Sequence, residues 1–71
     1  MFIDWEVYAM CEDIVAYYRA YKYSRLVGMW DKQRKYYRLY MEAIIDLYDY
    51  CGEMIEYQDA INILEEYDNL W

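Results

Sequence analysis

Apolar residues recur three and four positions apart along three stretches of this 71-residue chain, the period of an α-helix buried on one face. In the first stretch Ile3, Val7, Met10, Ile14, Tyr17, Tyr18 and Tyr21 form one stripe. In the second the stripe is Tyr36, Tyr40, Ile44, Leu47 and Cys51, with Asp31, Lys35, Arg38, Glu42, Asp46 and Asp49 on the opposite face. In the third it is Tyr57, Ala60, Ile61, Leu64, Tyr67 and Trp71. The chain has no Pro or Thr and only three Val, so strand signals are nearly missing.

Gly28 and Gly52 fall where helix C-caps are expected, since a left-handed residue ends a helix and glycine adopts that conformation without strain. They divide the chain into helices near 4–27, 31–51 and 54–70. Asp4 and Asp31 are the expected N-caps of the first two, and Glu53 sits favourably at the start of the third. Connections this short favour antiparallel neighbours. The expected fold is all-α, a small antiparallel three-helix bundle forming a single helical domain over residues 1–71.

The first helix breaks the one-face pattern. Trp5, Ala9, Ala16, Ala20, Tyr23 and Val27 form a second apolar face, about 180° from the first at 100° per residue, with Tyr8 and Leu26 beside it. A helix apolar on two sides is either clasped by both neighbours or contacted by another chain. We read it as the face of a homodimer, built around Trp5, Ala9, Ala16, Ala20 and Tyr23. Composition agrees: at 61% apolar and 23% aromatic, with twelve Tyr and three Trp, the chain carries more large apolar surface than a core of this size hides. Surplus Tyr and Trp are typical of interfaces.

Charge is ordered in three blocks. Residues 1–18 hold four acids and no base, 19–38 hold all seven bases against Asp31, and 39–71 hold nine acids and no base, for balances of −4, +6 and −9 within a net −7. Ordinary solvated surfaces intersperse the signs, so this chain is a polarised object with a partner. Glu42, Asp46, Asp49, Glu53 and Glu56 follow one another at helical spacing and Asp59 extends them, a row suited to a basic surface. Tyr48, Tyr50 and Tyr57 lie within the row as candidate anchors. In the basic block, Tyr17-Tyr18-Arg19-Ala20-Tyr21 and Tyr36-Tyr37-Arg38-Leu39-Tyr40 repeat one order, and Arg beside aromatics is used on single-stranded nucleic acid. Lys32, Arg34 and Lys35 oppose the macrodipole at a helix N-terminus. An antiparallel third helix would neutralise them by returning Glu65, Glu66 and Asp68 to that end.

Catalysis is not expected. The chain has no His and one Ser, Ser24, without a neighbouring base, which removes His-assisted nucleophilic and acid–base chemistry. Two Cys and no His do not build a structural zinc site, and two Gly do not build a phosphate loop; no metal or cofactor is expected. The Met-Phe-Ile-Asp start has no basic leader, and charges interrupt every apolar run, so a cytoplasmic address with no membrane partner follows. Cys11 and Cys51 are then expected as buried, reduced hydrophobes, with a disulfide between them as the alternative. The expected function is an acidic protein-binding module, an inhibitor that occupies a basic, nucleic-acid-handling surface of a larger protein, as viral or mobile-element anti-defence proteins do. A self-assembling structural protein is the alternative. Direct nucleic-acid binding through residues 19–38 is weaker still, because a net −7 opposes phosphate contact.

Overall fold

The computed structural model describes residues 4–70 and consists of α1 (Trp5–Leu26), α2 (Trp30–Cys51) and α3 (Tyr57–Asp68), with no strand among those residues. Ile3 and Trp71, assigned above to the core stripes, lie outside the described residues. Asp4 caps α1 as expected, its Oδ1 accepting from the backbone N–H groups of Glu6 and Val7 at 3.0 and 3.3 Å. Gly28, at φ +75°, closes α1 in a Schellman motif. Met29 N–H reaches the Ser24 carbonyl at 2.9 Å and Gly28 N–H reaches that of Arg25 at 3.3 Å. Gly52, at φ +79°, ends α2. Asp31 does not cap α2: the helix begins one residue earlier, after Met29, which places Asp31 in the first turn.

α1 packs on α2 and on α3, while α2 and α3 make no close backbone approach to each other. The result is thin and elongated, 44 × 24 × 14 Å. Pairings along the seams fix the directions. Tyr21 meets Tyr37, Tyr18 meets Tyr40, and the Tyr50 hydroxyl donates to Asp4, so α2 runs antiparallel to α1. Tyr18 stacks on Tyr57 and the Tyr8 hydroxyl donates to Asp68 at 3.0 Å, so α3 also runs antiparallel to α1 and therefore parallel to α2.

That third direction follows from the connection. Residues 52–56 do not extend the helix, as expected above from residue 54; they double back along the bundle. Ile55 is driven into the core, and α3 starts only at Tyr57. Glu53 consequently lies outside α3. The N-cap residue, Glu56, makes no side-chain cap bond. Instead the Tyr40 hydroxyl accepts from the Tyr57 N–H at 3.1 Å, a tertiary substitute for a local cap.

The core joins Cys11, Ile14 and Val15 of α1 to Tyr40, Ile44 and Leu47 of α2, with Ile55 and Ala60. Ser24 is buried too, its hydroxyl donating to the Ala20 carbonyl at 2.8 Å. Cys11 and Cys51 are both free thiols. Cys11 is buried as expected, but Cys51, on the last turn of α2, is exposed. Burial, and secondarily Cys51, push the Cys11 thiol up to about 11. The Tyr40 hydroxyl is raised by burial, an effect its bond from Tyr57 partly offsets. A group whose folded pKa lies above its unfolded value contributes stability at pH values below the unfolded one and loses it as pH rises. Thermal melts should therefore show a midpoint that falls steeply as pH rises from about 9 to 11. A flat midpoint across that window would contradict the burial of both groups.

Candidate functional site: an acidic groove between α1 and α2

A groove of about 230 Å³ runs between α1 and α2, with half-buried Met10, Tyr17, Leu39 and Ala43 as its floor and exposed Asp13, Glu42 and Asp46 on its rim. The antiparallel register places these residues: partners have numbers summing to about 56, twice the position of the Gly28 turn, so Asp13 falls opposite Ala43 between Glu42 and Asp46. The rim thus draws carboxylates from two helices. Asp13 was not among the residues singled out from the sequence, although the hairpin register alone predicts its place.

Of the acidic row, Glu42, Asp46 and Asp49 stand exposed on α2 at the expected spacing. Glu53, Glu56 and Asp59 are exposed as well, but the left-handed turn at Gly52 breaks the line, and the last two belong to the entry of α3. Only one ion pair occurs among the described residues, Arg38 to Glu42 at 3.9 Å, with both side chains largely in solvent. Such a pair is worth a few tenths of a kcal/mol. No described group of three or more Asp, Glu or Cys is arranged to hold a metal ion.

The tyrosine anchors divide. Tyr48 and Tyr50 are exposed at 47% and 49%. Tyr50 lies at the α1 N-terminus, where partial burial first and Asp4 second hold its hydroxyl above the ordinary range. Tyr57 is not an anchor: it stacks on Tyr18 at 4.2 Å between ring centroids and belongs to the core. The two Tyr-Tyr-Arg-x-Tyr runs pair with each other, and of their paired rings Tyr37 is left 47% exposed. The second and last tyrosines of one run meet the last and second of the other, Tyr18 with Tyr40 at 5.0 Å and Tyr21 with Tyr37 at 5.1 Å. Their arginines, Arg19 and Arg38, are left exposed outside this ladder.

The expected neutralisation of the basic end is overturned. Because α3 runs parallel to α2, it delivers Asp68 to Tyr8, near the start of α1 and away from residues 19–38. That bond, and to a smaller degree burial and charge, raise the Tyr8 hydroxyl. Glu65 and Glu66 sit in the last turns of α3, where the macrodipole already disfavours anions, at an end that also holds Asp4 and Glu6. Replacing both with Lys should raise the denaturation midpoint, by a few tenths of a kcal/mol per site. A lowered midpoint would restore the pairing expected from sequence. Beyond the start of α3 the α1–α2 hairpin projects alone. There Tyr21, Gln33, Arg34 and Tyr37 line an open groove, and the buried Gln33 Oε1 has no hydrogen-bond partner among the described residues.

Of the proposed self-association residues, Ala9, Ala16 and Tyr23 are exposed, Trp5 is half exposed and Ala20 is half-buried, so neither α2 nor α3 covers α1 along Ala9, Ala16 and Tyr23. The clasped alternative is not adopted; both partners pack on the opposite face. No described helix is long and apolar enough to cross a membrane. Comparisons with protein-family models, with curated proteins and with solved structures find no match for this chain.

Proposed function

We propose that this chain is a non-enzymatic, intracellular protein-binding module whose acidic groove receives a basic segment of a larger protein. One observation carries the reading: Asp13, Glu42 and Asp46 converge from two helices on an apolar floor, with only Arg38 offering any local compensation. Carboxylates so placed repel one another, and a Lys- or Arg-rich segment relieves that repulsion while its apolar parts cover Met10, Tyr17 and Leu39. Exposed Asp49, three residues beyond Asp46, extends the contact along α2, whereas Tyr48 lies around the helix from this rim. A surface that accepts such a segment competes with nucleic acid for it, so the biological role we propose is inhibition of a nucleic-acid-handling protein by mimicry, of the kind useful to a virus or mobile element.

The test compares wild type with Asp13→Asn/Glu42→Gln/Asp46→Asn, by titration with an amphipathic Arg/Leu peptide and by mass spectrometry of what each retains from the source cell. All three positions are exposed, so the variant should remain folded by circular dichroism. Peptide affinity should fall roughly ten-fold or more at low salt, mainly through slower association, and a basic protein held by wild type should be lost. Undiminished affinity and rate would reduce the groove to a solvated face.

A second reading, self-association, is favoured by the uncovered side of α1, and we propose a homodimer through it. Direct nucleic-acid binding by residues 19–38 draws less support, since Tyr18 with Tyr40 and Tyr21 with Tyr37 pack against each other as tilted pairs.

A further inference from the structure

The side of α1 turned away from α2 and α3 presents exposed Ala9, Ala16, Tyr23 and Val27, with Tyr23 at 63% exposure. Ala9, Ala16 and Tyr23 are seven residues apart, so they form a straight seam that small side chains open to close helix approach and that Tyr23 ends with a large ring. Charge flanks the seam unevenly. Exposed Glu12 and exposed Arg19, also seven apart, lie on one edge of it, the acid in the N-terminal half and the base in the C-terminal half.

From this arrangement we infer that two copies pair antiparallel along α1, about a two-fold axis near Ala16, so that Glu12 of each copy meets the partner's Arg19. The inference rests on the homodimer reading and adds orientation and register to it. In an antiparallel pair the two-fold axis lies across the helices, so each flank faces the same flank of the second copy. With antiparallel helices that symmetry sets acid against base twice, and it sets Tyr23 over the partner's Ala9, where the missing side-chain volume accommodates the ring. A parallel pair, whose two-fold axis runs along the helices, would instead set this flank against the opposite one, so that Glu12 and Arg19 would not meet.

The whole molecule reinforces this choice. Asp4, Glu6, Asp49 and Asp68 gather at one end of the bundle, while Lys22, Arg25, Lys32 and Arg34 occupy the other. None of those four bases is ion-paired among the described residues. Antiparallel copies place each acidic end beside the other's basic end, supplying between chains the compensation that α3 does not supply within one. The apolar seam provides the area, and the poles select the direction.

Light scattering should find a dimer at ~100 μM, as expected for apolar pairs of micromolar affinity or better. Glu12→Arg alone and Arg19→Glu alone should each weaken it roughly ten-fold or more by opposing like charges, and the double variant should recover it. Both positions are exposed, so each variant should fold, which circular dichroism checks. Orientation is read separately by oxidative cross-linking in a Cys51→Ser background. A mixture of Ala9→Cys and Tyr23→Cys chains should cross-link, while Ala9→Cys alone should not. A strict monomer would overturn both the homodimer and its orientation. A dimer in which Ala9→Cys links to itself, or in which the double variant fails to recover, would leave the homodimer standing and overturn the antiparallel register.

Discussion

Tyr18→Ala should release α3 from the hairpin while leaving α1 and α2 paired. Tyr18 is the side chain shared by all three helices: its ring lies 5.0 Å from that of Tyr40 on α2 and 4.2 Å, nearly parallel, from that of Tyr57 at the start of α3. Truncating a large aromatic in a packed site costs about 3–5 kcal/mol. Here the loss falls unevenly, because α1 and α2 keep a long seam and α3 has 12 residues with no side-chain cap of its own. An isolated helix of that length is marginal in water. The cap that α3 does have comes from Tyr40, whose hydroxyl is positioned in part by Tyr18. Hydrogen exchange should show amides from Tyr57 to Asp68 losing protection together, with those around Ile14 and Ile44 retaining most of theirs. Uniform loss across all three helices would mean that α3 is not a separate unit. Tyr40→Phe isolates the cap: it removes the acceptor of the Tyr57 N–H at nearly constant volume and should cost about 1–2 kcal/mol.

Leu47→Ala should leave the protein largely unfolded near 37 °C. Leu47 is completely buried and shares the one core cluster with Ile14 and Cys11. Leu→Ala at such a site costs about 2–5 kcal/mol, and a domain of this size holds roughly 3–5 kcal/mol in all. Ile45, two residues away, is half exposed and serves as the control; Ile45→Ala should shift the midpoint little. The measurement is denaturant unfolding followed by far-ultraviolet circular dichroism. If Leu47→Ala and Ile45→Ala shift the midpoint equally, the core does not lie where the packing places it. The proposed dimer would raise apparent stability with concentration, so both variants are compared at one protein concentration.

The three-helix architecture was legible in the sequence because its determinants are local. Period-3.6 stripes, Gly28 and Gly52 at positive φ, and the Asp4 cap act within one or two turns, and the helices begin and end within a residue or two of expectation wherever such signals exist. The Gly28 turn also fixes the α1–α2 register, which brings Asp13, Glu42 and Asp46 to one groove. The side of α1 that its neighbours take was also readable, since the stripe of Val7, Met10, Ile14, Tyr17 and Tyr18 faces the core as expected.

What only the tertiary structure decided is the course of the chain after Gly52. No local signal says that residues 52–56 double back, since the cause is the burial of Ile55 and the capture of the Tyr57 N–H by Tyr40, seventeen residues earlier. That single turn sets the direction of α3, and the rest follows from it: Tyr57 joins the core, Cys51 is left in solvent, and Asp68 goes to Tyr8. Composition and spacing determined the helices and the three blocks of charge. Packing between residues distant in sequence decided that the negative and positive blocks would stand at opposite ends, because a helix records its own buried face and carries no record of which way its neighbour runs.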